Sequence, residues 1–175
     1  MTWFLSRKPR IGGEHYALYA AIVAQSRQTL FYAEWGVPDT LTGRFDMISL
    51  HMALVLRRLQ REGATQSTFA QALFDLFFKD MDRSLREMGV GDISVPKRIE
   101  KMGGLFYGLV DGLGPALAAN EDGALEAFVL RNLIDDAHAD AAPRFAAYLR
   151  RQVAYLDTLP ASELIGGRLG WEQMA

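Results

Sequence analysis

Between Ser67 and Met88 the apolar residues cover too much of a helix for that helix to lie on a surface. Phe69, Leu73, Leu76 and Phe77 recur at helical spacing on one arc, and Ala70, Phe74, Phe78, Met81 and Leu85 fill the arc beside it. Together they span about half of the circumference, more than a helix with one buried face shows. Such a segment has to pack between other helices, so it is expected to be the central helix of a bundle. Each of its phenylalanines contributes about 1.5–3 kcal/mol if fully buried.

The rest of the chain keeps the same period. A first helix is expected over Glu14–Glu34, with Tyr16, Tyr19, Ala20, Val23, Leu30 and Phe31 at helical spacing and Gly36 and Pro38 ending it. A second starts near Phe45 and carries Ile48, Met52, Val55, Leu56 and Leu59 on one face, with Gly63 as its stop. After the central helix, Gly89 and Gly91 suit a turn, Ser94 suits an N-cap and Pro96 suits a first helical turn. A fourth helix then runs toward Ala119, with a break expected at Gly114-Pro115. Asn120 caps a fifth helix through Ile134, and a sixth spans Asp140–Leu159. No stretch alternates at period two for long enough to make a strand. The fold class is therefore all-α: one domain, a bundle of about six helices over residues 14–160, preceded by an arm at 1–13 and followed by a glycine-rich tail at 161–175 that lies over the bundle.

Composition removes several classes of function. Half of the residues are hydrophobic and 23% are charged, enough apolar surface to offset chain entropy. Nineteen basic residues against 21 acidic ones supply no electrostatic footprint for nucleic acid. Without cysteine there is no disulfide, thiolate metal site or cysteine nucleophile, which fits a cytoplasmic setting. Trp3-Phe4-Leu5 precede Arg7, Lys8 and Arg10, the reverse of a signal peptide, although this arm could touch a lipid interface. The apolar run Tyr16–Ala24 is half as long as a bilayer-spanning helix requires.

Catalytic and metal chemistry find little support. Asp135 and His138 stand at i, i+3 like half of a carboxylate di-iron site, but no second pair exists, so a solvated acidic helix end is expected there. His51 sits at the margin of an apolar face and reads as a packed or hydrogen-bonded histidine. The glycine pairs match no phosphate loop and no serine sits in a nucleophile elbow. An enzyme would have to draw its acids from Asp39, Asp80 and Asp92, and these would have to converge in a cleft. No cofactor is expected.

Charges on the central helix carry more information. Asp80, Arg83 and Glu87 fall on one side, while Asp75, Asp82 and Arg86 face elsewhere. On a structural reading Asp80 bonds Arg44 or the backbone of the loop 35–43; on a functional one, these groups form a polar docking surface.

The strings Trp35-Gly36-Val37-Pro38-Asp39-Thr40-Leu41-Thr42-Gly43-Arg44-Phe45-Asp46 and Leu85-Arg86-Glu87-Met88-Gly89-Val90-Gly91-Asp92, followed by Pro96-Lys97, resemble the signature of the ubiquinol–cytochrome c chaperone family over about Leu30–Leu117. The resemblance implies a helical, non-catalytic protein that assists assembly of ubiquinol–cytochrome c reductase, in mitochondria by holding newly made cytochrome b and in alphaproteobacteria as a homologue. Partners would be cytochrome b or another membrane-protein client, a small partner protein, and peripherally the membrane. The motif residues Asp39, Arg44, Asp80, Asp82, Arg86, Glu87, Asp92 and Lys97 become candidates for docking or for structural polar contacts. One departure stands out: relatives continue Phe-Tyr-Gly with Arg and place Tyr four residues later, where this chain has Leu109 and Leu113. A groove lined by Met47, Met52, Met81, Met88 and Met102 would suit an apolar client if those side chains are exposed. The alternative is a carrier of a lipid or quinone-like molecule, which needs an apolar cavity of roughly 300–1,000 Å³ between the helices.

Overall fold

The computed structural model describes residues 10–61, 64–119 and 121–173, so the apolar tip and basic Arg7 and Lys8 of the expected arm lie outside the described residues. Within them the chain forms α1 (Gly13–Ser26), α2 (Thr29–Ala33), α3 (Leu41–Gln60), α4 (Ala64–Glu87), α5 (Val95–Ala118), α6 (Asp122–Asn132), α7 (Ala142–Thr158) and α8 (Ala161–Ile165), with a 3-10 turn at Asp136–Ala141 and no strand.

Two apolar cores share α3. Met47, Leu50 and Leu54 point into one with Phe31, Trp35, Phe128 and Phe145, while Phe45, Ile48, Met52 and Val55 point into the other with Leu18, Leu73 and Phe77. α4 packs between α1, α3 and α5, as its wide stripe requires. Yet α3, like α5, reaches both cores, because its apolar residues surround it more fully than the second-helix face suggests.

Several boundaries differ from the sequence reading: α6 starts after Glu121 and ends at Asn132, α7 starts at Ala142, and four further differences bear on the packing. The expected first helix splits at Arg27-Gln28. Ser26 Oγ donates to Val23 O at 2.8 Å, and the Tyr32 hydroxyl of α2 donates to Ser26 O at 2.8 Å, so side chains take up carbonyls at the end of α1. That turn swings Phe31 and Trp35 into the core. α3 starts at Leu41 rather than Phe45 because Thr40 Oγ1 accepts from Gly43 N at 3.1 Å and caps it. No break occurs at Gly114-Pro115: Leu113 and Ala116 are buried beside α6, and this packing carries α5 through the proline to Ala118. The tail forms the short α8 before it crosses the bundle, where Trp171 Nε1 donates to Ala21 O at 3.0 Å.

Leu109 and Leu113, the two departures from the family pattern, are buried on the inner face of α5 against the first core. They replace polar side chains with ordinary packing.

Two glycines of the first family string are required by close approach. Gly36 has φ +76°, and a Cβ there would collide with the His138 side chain; a Cβ on Gly43 would collide with the carbonyl oxygen of Pro38. Gly108, by contrast, has open space around it on α5. Gly43→Ala is expected to destabilise the fold by about 2 kcal/mol or more, and Gly108→Ala to stabilise it by about 0.5–1 kcal/mol. Urea unfolding of both variants checks the contrast.

Candidate functional site

The two family strings meet at one end of the bundle. Leu41, Thr42 and Phe45 of α3, Leu85 of α4, and Arg98, Lys101, Met102 and Leu105 of α5 line an open groove of about 540 Å³. Phe45 and Leu85 are buried and form the floor, while Leu41 and Leu105 are 46% and 45% exposed and form apolar walls. Arg98 and Lys101 supply the charge, and no described carboxylate pairs with either. The loop before α3 and the turn between α4 and α5 flank this groove.

The predicted polar residues hold these flanks in place. Arg44 Nε donates to Asp39 Oδ1 at 2.6 Å across the loop, and the guanidinium holds the Asp39 carboxyl below its usual range. Arg86 Nε donates to Asp82 Oδ1 at 2.7 Å, and the same guanidinium bonds Asp92, which ties the turn back to α4. Each of these pairs is solvent-exposed, so each contributes orientation more than stability. Lys97 is exposed at the start of α5 and pairs with no described carboxylate.

Asp80 is a correction. It bonds neither Arg44 nor the loop 35–43; its Oδ2 accepts from the Tyr19 hydroxyl of α1 at 2.9 Å, and Arg83 bonds its other oxygen. Arg83 also lies 3.7 Å from Glu87. The reason is position: Asp80 lies on the α1 side of α4, and α1 offers a phenol there. Burial and the carboxylate push the Tyr19 phenol well up, so it stays a donor. Asp39, Asp80 and Asp92 therefore serve three separate contacts and do not converge as an acid cluster would.

Of the five methionines expected to line a groove, three are core residues. Met47, Met52 and Met81 are buried, Met88 is exposed and Met102 lines the groove, so the expected Met-lined surface reduces to one wall residue. Two further open clefts flank α4, one of about 740 Å³ against α1 and one of about 320 Å³ beside Phe74, Phe106 and Tyr107. All three are open at the surface, the shape of a docking face; none of the three is the cavity enclosed between helices that the carrier reading expected.

The histidines have structural partners. His51 is fully buried: its Nδ1 donates to Met47 O at 2.8 Å and its Nε2 accepts from the Tyr148 hydroxyl at 2.7 Å. Tyr148 Oη in turn accepts from Gln25 Nε2 at 2.9 Å. His138 bonds Asp135 at 2.6 Å on the surface, and no group of three or more metal-ligating side chains occurs among the described residues.

Sequence reasoning missed the groove walls and Asp46. Leu41, at the start of α3, and Leu105, midway along α5, are legible only as apolar residues off the main core faces. Asp46, in the first string, is half-buried without a described hydrogen-bond or ion-pair partner, and burial pushes its carboxyl up to about 6.

Comparison with known proteins now identifies this architecture. The family profile described as ubiquinol-cytochrome C chaperone matches residues 33–171. The chain belongs to that family. The matched region extends beyond the strings that carried the sequence resemblance, into α6, α7 and the tail. The chain is similar to a solved Cbp3 homolog from Brucella abortus, with TM-score 0.81 and 40% identity over 91% of this chain and 89% of that one. It is 25% identical to ubiquinol-cytochrome-c reductase complex assembly factor 1 of Xenopus laevis over 90% of this chain and 80% of that protein. The human counterpart is 24% identical over 90% of this chain, which spans about half (53%) of its length. Membership of a chaperone family supports the non-catalytic reading.

Asp46 and His51 impose opposite pH dependences on this family member. The Asp46 carboxyl is raised from 3.8 to about 6, so its contribution to stability is full below pH 4 and is lost as pH rises through 6. Burial lowers His51 from 6.5 to about 4, so its contribution is full above pH 6.5 and is lost as pH falls toward 4. The two offset each other over the same window. Asp46→Asn is expected to raise stability at pH 7 by about 1–2 kcal/mol and to leave a monotonic loss on acidification, which chemical denaturation at stepped pH measures.

Proposed function

We propose that this chain is a non-catalytic assembly chaperone for ubiquinol–cytochrome c reductase, and that its α3–α4–α5 groove receives an apolar helical segment of a membrane-protein client such as cytochrome b. The observation that carries this reading is the groove itself, framed by both family strings and left open between them. Apolar walls at Leu41 and Leu105 offer contact to a segment that has not yet reached lipid, and Met102 adapts to its side chains. Arg98 and Lys101 favour the carbonyl end of a client helix or an acidic flank. A groove this small binds weakly enough to release its client, since ordering costs offset most of the contact energy.

Work on such a client places the chain beside a membrane. No helix among the described residues is long and apolar enough to cross one, so contact there would be peripheral.

Deletion of the gene is expected to lower cytochrome b absorbance and ubiquinol–cytochrome c reductase activity in membranes. Wild type should restore both, and a Leu41→Asp, Leu105→Asp variant should restore neither while its melting temperature stays within a few degrees, because both side chains are half-exposed. Full complementation by that variant would remove the groove from the mechanism. Unchanged reductase in the deletion strain would remove the function.

A further inference from the structure

We infer that the turn between α4 and α5, with the first two turns of α5, is a contact surface for an anionic lipid bilayer. The inference deepens the reading above and rests on this chain working beside a membrane. It starts from Ile93, which is 90% exposed, more than any other large apolar side chain described. Met88, at the other end of the same turn, is 53% exposed. An isoleucine this exposed lies in no groove; it stands on a convex tip. A protein partner would have to bring a pocket to such a tip, whereas a bilayer accepts it directly among its headgroups and acyl chains.

The charges around the tip have the matching sign. Lys97, Arg98 and Lys101 follow within two helical turns, all exposed, and no described carboxylate pairs with any of them. Their alkyl stems can lie along the apolar surface while the charged heads reach lipid phosphates. The acids nearby are accounted for. Asp82 and Asp92 are bonded to Arg86, and Glu87 lies beside Arg83. Glu100 shares the start of α5; it is turned at least 100° around the helix from Arg98 and Lys101 but about 60° from Lys97, so it offsets part of the Lys97 charge and leaves the other two. Arg86 thus holds both Asp82 and Asp92, which leaves one surplus negative charge beside the turn against the three α5 cations, and those cations stay free for an external anion.

The geometry also joins this tip to the client groove. Arg98 and Lys101 line the groove, whereas Ile93 and Lys97 do not. Contact through the tip would hold the groove's mouth at the lipid surface, next to where a membrane protein emerges.

The separation of those residues makes the test specific. The full chain is mixed with vesicles of phosphatidylcholine alone and of phosphatidylcholine with about one-third phosphatidylglycerol, and bound protein is measured by co-sedimentation. Binding is expected on the anionic vesicles only and should weaken as salt rises. An Ile93→Asp, Lys97→Glu variant with unchanged circular dichroism should bind at least about tenfold more weakly. Equal binding to both vesicle types, no binding to the anionic ones, or wild-type binding by the variant would each overturn the inference. So would loss of binding through Trp3→Asp, Phe4→Asp in the arm when the turn variant still binds. Because Ile93 and Lys97 lie outside the groove, the outcomes separate: failed vesicle binding with loss of complementation by the groove variant refutes the surface alone, and the converse refutes the groove alone.

Discussion

The hydrogen bond from Tyr148 to His51 is the contact on which the rest of the bundle depends. It links α7 to α3, which contributes side chains to both cores, and Gln25 extends the chain to α1. Its direction is forced. His51 Nδ1 must donate to Met47 O, which leaves Nε2 as an acceptor, and only a donor such as the tyrosine hydroxyl can meet it. In a dry interior a satisfied network of this kind specifies one packing, because any slip of α7 against α3 would strand buried polar atoms. Phe31, Trp35 and Phe145 pack around Tyr148, and Trp171 of the tail meets His51 edge-on at 5.1 Å. Sequentially distant elements are thereby held to one imidazole.

With the cores so fixed, the far end of the bundle is free to carry the proposed client groove. The signature strings divide their labour there. Gly36 and Gly43 permit backbone approaches that a side chain would block, and Thr40 caps α3. The pairs Asp39–Arg44 and Asp82–Arg86–Asp92 brace two loops from outside. Exposed ion pairs add little to stability, at most about 1 kcal/mol each, so their value lies in the shape they maintain. Between the braced loops the chain leaves apolar walls and unpaired cations, the kind of surface that folding alone would not select. Asp46 fits the same pattern: a half-buried carboxyl without a described partner is tolerated within the signature and lowers stability at neutral pH.

Much of this was legible in the residues and some was not. The wide stripe of α4 shows it as a helix packed between others, and Ser94 with Pro96 marks the start of α5. Helix ends were read less well where a side chain from elsewhere intervenes: Tyr32 reaches back to Ser26 O and helps split the first helix, and packing against α6 carries α5 past Pro115. Asp80 illustrates the limit at the candidate site. Its side of α4 follows from helical spacing, but its partner Tyr19 is 61 residues away and no periodicity points to it.

The sequence by itself determined the helical class, through a 3.6-residue apolar period and the lack of a two-residue one, and determined the family, through two long strings that carry its signature. Those are local properties, readable within a few turns of chain. The tertiary structure alone decided that α3 serves two cores, that the motif charges brace loops, and that Leu41, Met102 and Leu105 meet around one groove. Such facts depend on which distant faces come together, and that is settled by burial and hydrogen-bond satisfaction summed over the whole chain.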